Sequence, residues 1–277
     1  MHSLRFALIL AITALAIALI GFLIIGLTGF ISVFTIILIG YVFLYFQATH
    51  FIIASTLATN ATEQKYEQLH QTVKEIATHL KVATPKIFIS PSPQPNALLV
   101  GHENNPTILI TRGLLEMKHE DEAIALITLA IAYTKQDLFF HTYVIAFTSL
   151  FTKVAQLGQF SILRPVKRRE KGNSFGALLF FILAPFAAFC IKFVTDPERH
   201  YKADFIAASS IRKPEILAKS LEYVDGRVED DIPLINPNPA TAALYVVHPF
   251  SHKTLSSFFD THPPLETRLL KLHNMLI

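Results

Sequence analysis

Charge is what this sequence of 277 residues lacks first. Between Arg5 and Glu63 there is no Asp, Glu, Lys or Arg. One helical crossing of a bilayer core of about 30 Å takes about 20 apolar residues, so this run is long enough to cross twice. The spans are expected from Phe6 to about Ile25 and from Phe30 to Phe46, with the turn at Gly26-Leu27-Thr28-Gly29. A cleaved signal peptide would have an apolar core of only about 7–15 residues and then a small-residue cleavage site. The continuous double run is read instead as an uncleaved membrane hairpin. Cysteine is nearly missing too. With Cys190 alone, an intramolecular disulfide and a multi-thiolate zinc site are excluded. Charged residues make up only 16% of the chain against 52% hydrophobic, and the mean hydropathy is +0.43. That is too apolar for an ordinary soluble domain. The formal net charge of +3 is modest and gives no reason to invoke nucleic acid as a partner.

Beyond the hairpin the pattern changes. Thr62 to Lys81 has helical periodicity, with Tyr66, Leu69, Val73, Ile76 and Leu80 on one face. Glu63, Lys65, Glu67, Lys74 and Glu75 occupy the other, so one side should face a core and one water. Three β-prone runs follow, at 86–90, 97–100 and 107–111. Pro91, Pro93, Pro95, Gly101 and Asn104-Asn105-Pro106 separate them, which predicts a small sheet with tight loops. Leu114 to Lys135 reads as one helix. Leu138 to Thr152 is apolar but short for a span, and in the uncharged run from Phe175 to Ile191 Pro185 is expected to make a kink. Between them lies a basic run, Arg164 to Lys171, for which contact with anionic headgroups and a solvated loop are both open. Residues from Asp196 to Ile277 are mixed in character, with helical stretches near 214–224 and 264–276.

Arg5 and the amino terminus precede a charge-free turn, which places both ends of the first hairpin on the cytoplasmic side. Two further crossings at 138–152 and 175–191 would put the basic run outside, against the same rule. A second hairpin that dips in without exposing that run is preferred.

Four motifs occur in order. The first is Pro95-Asn96-Ala97-Leu98-Leu99-Val100-Gly101, followed by Thr111-Arg112-Gly113-Leu114-Leu115. The second is the helical stretch from Asp121 to Asp137. The third is Arg199-His200-Tyr201-Lys202-Ala203-Asp204, preceded by Ile182-Leu183-Ala184-Pro185. The fourth is Thr261-His262-Pro263-Pro264 with Arg268-Leu269, preceded by Tyr245-Val246-Val247-His248-Pro249. Across nearly the whole chain these resemble the HtpX-like membrane zinc metallopeptidases, relatives of the CAAX prenyl proteases. The resemblance implies an α+β, mostly helical, integral-membrane gluzincin-like metallopeptidase fold with a small β-sheet. It divides the chain into a transmembrane hairpin (1–50), a first peptidase-like part (51–137), a membrane-associated or transmembrane hairpin (138–194) and a second peptidase-like part (195–277). It also implies a bacterial inner membrane with the peptidase-like part facing the cytoplasm. The partners it implies are the lipid bilayer and a polypeptide substrate or protein partner.

In that family the second motif carries H-E-x-x-H, two zinc ligands one turn apart with a general base, and a glutamate of the third motif is the third ligand. Counted forward from Gly113, the first-ligand, base and second-ligand positions are Leu129, Ala130 and Tyr133. Counted back from Asp137 they are Thr128, Leu129 and Ala132, and a one-residue deletion would account for the mismatch. The third-ligand position is His200. Zinc hydrolysis needs three protein ligands, an open position for water and a base. Neither register supplies them, so the expectation is a pseudopeptidase with no cofactor. Leu and Ala also suit a metal-free core, where an unmetallated His or Glu would be costly.

The competing expectation is a divergent zinc metalloendopeptidase whose ligands have moved. Among the twelve histidines, His141, His248, His252 and His262 would then converge on His200. Pro249 argues against a continuous helix through His248 and His252. In relatives Asp204 orients a ligand histidine; here it is expected to cap local backbone or pair with a nearby basic group. His262 is expected to brace the Pro263-Pro264 turn, Arg268 to be structural, and Tyr133 to be a core tyrosine with a satisfied hydroxyl. By the resemblance, Asn96, Ala97 and Leu98 form a sheet edge on which a peptide would pair.

Overall fold

The computed structural model describes residues 2–163, 174–230, 232–236, 238–250 and 259–276. The basic run Arg164 to Lys171 and His252 lie outside the described residues.

Helices α1 (His2–Ile25) and α2 (Leu27–Ser55) form the hairpin that the uncharged run demands. Gly26, with φ of 70°, makes the turn between them, a left-handed conformation that glycine adopts without penalty. The helices then cross backbone to backbone, since a Cβ on Gly29 would collide with the Gly21 carbonyl. Ser3–Ile25 and Leu27–Ser55 are long and apolar enough to span, with mean hydropathies of 3.0 and 2.3. Leu23, Ile36, Ile39 and Phe46 stand exposed on their surface, a display that suits lipid and not water. The chain is a membrane protein. Helix α2 runs past residue 50 to Ser55, so the hairpin and the following part are joined by continuous helix.

A four-stranded mixed sheet follows, with β1 (Thr59–Asn60), β2 (Lys86–Ser90), β3 (Ala97–His102) and β4 (Asn105–Thr111). The strand order is β1-β2-β4-β3, with β2 and β4 parallel and the other pairs antiparallel. Side chains alternate across a sheet, and here the alternation separates two cores. Ile87, Leu99, Ile108 and Ile110 join one hydrophobic cluster, while Leu98, Val100 and Leu109 join another with α2 residues Leu44, Ala48 and Ile52. One sheet face therefore belongs to the water-side core and the other to the membrane side. The water-side cluster draws on Ala61 to Leu138 and again on Ala203 to Leu272, so the two separated stretches fold as one body.

Helix α3 (Glu67–Leu80) starts later than its periodicity suggests. Thr62 to Tyr66 is a tight turn, with Lys65 and Tyr66 N–H groups on the Thr62 carbonyl, and the helix begins only after it. The helix expected over Leu114 to Lys135 is two: a short α4 (Arg112–Leu115) capped by Thr111, and α5 (Glu120–Ala132). Glu120, Asp121 and Glu122 in the first turn of α5 complement its dipole. A 3₁₀ turn, Tyr133–Lys135, and Asp137 with φ of 49° then bend the chain by 96° into α6 (Leu138–Leu163).

Much of the first four turns of α6 is buried inside the protein. Val144 to Thr148 are buried, Thr142 Oγ1 accepts from the Gly101 N–H at 3.0 Å, and Thr152 donates to Asn238 Oδ1 at 2.8 Å. Helix α7 (Ser174–Val194) packs back along α6 and runs unbroken through Pro185. The missing backbone bond is tolerated because Ala187, Ala188, Cys190 and Ile191 lock the following turns into the membrane-side core. Helices α8 (Glu198–Ile211), α9 (Pro214–Glu229) and α10 (Leu265–His273) complete the water-side body, with α8 and α9 both against α5.

Candidate functional site

The second half of α5 is buried along its whole length, from Ala125 to Ala132. Leu129 and Ala130 are 0% exposed and Tyr133 is 2%, so three positions of the forward register point into packed core. Where α8 passes this end of α5, Tyr133 Oη and His200 Nδ1 share a hydrogen bond at 2.5 Å, and the rings meet edge to face. Burial pushes the Tyr133 phenol well above its ordinary value, with Arg268 opposing, so the phenol stays protonated. Burial, and then His262, Arg199, Arg268 and His141, hold His200 well below the ordinary imidazole value. The ring is therefore neutral, with Nδ1 committed to the Tyr133 hydroxyl. Arg199, the residue before His200, lies over the Tyr133 ring with Cζ 4.9 Å from its centroid. Burial lowers its guanidinium to about 10, against the pull of Tyr133 and Asp137.

The other motif residues do a shared job nearby. Three successive carbonyls, of Tyr245, Val246 and Val247, accept from His262 Nε2 at 2.8 Å, Arg268 Nη1 at 2.9 Å and Asn96 Nδ2 at 2.8 Å. Arg268 also grips Asp204 in a buried two-point pair, Nε to Oδ2 at 2.8 Å and Nη2 to Oδ1 at 2.7 Å. This couples α8 to α10, and it raises the Arg268 pKa in spite of its burial. Asp204 thus pairs with a basic group, one of its two expected roles. His262 braces a different segment from the Pro263-Pro264 turn: its ring holds Tyr245, and its own N–H is held by Asp260 Oδ1 at 2.9 Å.

This clamp overturns the open peptide edge expected at Asn96, Ala97 and Leu98. Strand β3 is at the sheet's edge, but the chain's own segment lies along it. Val246 N–H donates to the Ala97 carbonyl at 2.9 Å, and Leu98 pairs antiparallel with Tyr245. Asn96 spends its side chain on Val247 and on the Ala97 N–H, and Ala97 and Leu98 are buried. An incoming peptide would have to displace this strap, because each edge group offers one set of hydrogen bonds.

Histidines gather beside the pair. The rings of His200 and His262 are 4.2 Å apart and those of His262 and His248 5.5 Å. Asp260 Oδ1 is 3.6 Å from His262 Nδ1 and 4.0 Å from His248 Nε2. Burial would raise the Asp260 carboxyl, but the hydrogen bond from His262 and the charges of His248 and His262 bring it down to about 2. Sequence reasoning missed Asp260 and Arg199. Asp260 had a signal, since an aspartate two residues before a histidine commonly takes that residue's N–H. Arg199 stood inside a quoted motif without a role.

The family's zinc can be tested against these side chains. At the three ligand positions stand a leucine, a phenol held protonated and an imidazole whose Nδ1 is bonded to that phenol, with alanine in the place of the base. They do not fit a zinc ion. Among the described residues, no group of three or more His, Cys, Asp or Glu is arranged to hold a metal ion.

Comparison with known proteins decides the ancestry of this site. The model of Peptidase family M48 matches residues 63–276, which takes in all the site residues described above. The chain belongs to peptidase family M48. It is 31% identical over 263 residues to a protease HtpX homolog of Dictyoglomus turgidum, covering 93% of this chain and 86% of that protein. A protease HtpX homolog of Pyrococcus abyssi is 30% identical over 96% of this chain and 93% of its own length. One from Persephonella marina is 28% identical over 99% and 98%. No solved structure matches the chain. This M48 member is therefore HtpX-like and membrane-embedded.

Proposed function

We propose that this chain is a membrane-anchored, non-catalytic member of family M48 that binds or regulates membrane or unfolded polypeptides. The observation that carries the reading is the closed Tyr133–His200 pair on a helix whose base position is Ala130. Hydrolysis in such a site requires a metal-bound water and a group to take its proton. Here the Tyr133 hydroxyl and His200 Nδ1 are spent on each other, and Ala130 can take no proton. Asn96, Asp204, His262 and Arg268 support the same reading, because each has a bracing role that does not depend on a metal. Polypeptide as the bound class follows from the peptidase family. On the positive-inside argument the water-side body faces the cytoplasm, and the bacterial inner membrane is its proposed location.

A second reading keeps a relocated zinc. It is favoured by His262, whose Nε2 is tied to a carbonyl while its buried Nδ1 faces Asp260 Oδ1 at 3.6 Å. His200 Nε2 is also without a hydrogen-bond partner, and it would join as a ligand with the ring's proton on Nδ1.

Metal content and casein cleavage of detergent-purified protein, with and without added zinc, separate the two. Less than about a tenth of an equivalent of zinc and no chelator-sensitive cleavage is the expected result, because a catalytic site needs its metal. Near one equivalent, lost on His200→Ala together with cleavage, would replace the first reading by the second.

A further inference from the structure

A cavity of about 580 Å3 opens where the end of α2 meets the sheet, away from the Tyr133–His200 pair. One wall is aromatic. Tyr45 and Phe139 meet edge to face at 4.7 Å, and Phe139 stacks on His102 at 3.7 Å. The other wall carries Lys86, His50 and Asn105. Lys86 on β2 and Thr107 on β4 are register partners, so their side chains leave the same face of the sheet, into this space. Among the described residues lining it there is no Asp or Glu. The neighbouring Glu103 is turned to the Phe139 backbone N–H, from which it accepts at 3.2 Å.

The depth of this cavity follows from the length of α2. That helix starts at Leu27 beside the hairpin turn, on the bilayer side remote from the sheet. About 20 residues rising 1.5 Å each cross a core of about 30 Å, which brings the hydrocarbon boundary to Phe46. His50 is one turn further, where Gln47, Thr49 and His50 break the apolar run. The cavity thus sits in the layer of lipid phosphates, and its aromatic wall sits at the boundary, where amphipathic rings settle.

We propose that this cavity binds the phosphate of an anionic phospholipid. Lys86 supplies the charge, His50, His102 and Asn105 supply N–H donors, and Tyr45 and Phe139 pack against the glycerol and first methylenes. The proposal is independent of whether the M48 site is catalytic. A compact ammonium reached by donors from two sides suits a phosphate, and the absence of a lining carboxylate disfavours a choline headgroup.

The test uses the full chain in a neutral detergent, with bound lipid counted by native mass spectrometry. Dioleoylphosphatidylglycerol and dioleoylphosphatidylcholine are offered to the wild type and to the Lys86→Met/His50→Gln variant, with inorganic phosphate as competitor. The wild type should retain the anionic lipid in preference to the zwitterionic one. The variant should bind it about fivefold more weakly, and soluble phosphate should not displace it. Equal retention of the two lipids, unchanged retention by the variant, or ready displacement by inorganic phosphate would each overturn the proposal. Lys86 and His50 are exposed, so the lipid-free variant should melt with the wild type. If it does not, Lys86→Arg keeps the charge and must keep the lipid, and its loss there also sinks the idea.

Discussion

Replacing Tyr133 by phenylalanine tests whether the pair with His200 is self-contained. The substitution removes one oxygen and leaves His200 Nδ1 without a partner in a site that is 0% exposed. An unsatisfied buried polar atom of this kind costs about 1–3 kcal/mol. For a chain of this size each kcal/mol moves the melting temperature by about 2–4 °C, so Tyr133→Phe should melt about 2–12 °C lower in detergent. Tyr133→Phe/His200→Leu removes both halves and leaves nothing polar behind, so it should recover most of the loss. Thermal melts of the wild type, both single variants and the double variant close the cycle, and repeating them with added zinc supplies the functional arm. If the pair replaces metal chemistry, zinc leaves all four melts where they were. A double variant less stable than Tyr133→Phe, or a zinc-dependent rise seen in the wild type and lost with His200, would refute the reasoning, because His200 would then serve something besides Tyr133.

The remaining predictions concern the clamp and the protonation of the site. Arg268→Ala leaves Asp204 buried and unpaired and frees the Val246 carbonyl, so it should cost about 3–5 kcal/mol, as read by thermal melts in detergent. Replacing both members, Asp204→Leu/Arg268→Met, should recover a large part of that; no recovery would mean the two do not act as a pair. His200 has a folded pKa well below 6.5, so below that pH the unfolded chain takes up a proton that the folded one refuses. Stability should therefore fall as pH drops below about 6.5, by up to about 1.4 kcal/mol per pH unit, until the folded pKa is reached. Melting curves between about pH 7 and 5 should flatten in His200→Leu relative to the wild type, and equal slopes would show that this ring does not titrate as described.

Much of this protein is legible without coordinates wherever a residue's meaning depends only on its neighbours in the chain. The charge-free run from Arg5 to Glu63 fixes two apolar helices because lipid admits only backbones bonded within themselves. The strands β2, β3 and β4 follow from β-prone runs at 86–90, 97–100 and 107–111, although β3 and β4 extend through Gly101 and Pro106, which the local pattern places between them. The loss of H-E-x-x-H is also a fact of sequence, since leucine and alanine ligate nothing in any fold. Local pattern misjudges where the chain turns against its own periodicity: at Thr62 to Tyr66, where backbone bonds form a turn before α3, and at Glu116 to His119, where one helix becomes two. What tertiary structure alone decided lies between residues far apart. Tyr133 meets His200 across 67 positions, Arg268 meets Asp204 across 64, and Asn96 meets Val247 across 151. Periodicity reports that a side chain is buried but not what it is buried against, so the strap over β3 could not be read from the Asn-Ala motif. The sequence by itself determined that this is a membrane-embedded M48 chain whose α5 stretch carries no H-E-x-x-H. Only the fold decided that Tyr133 and His200 bond to each other, because hydrogen bonds between distant segments exist only once packing has brought them together.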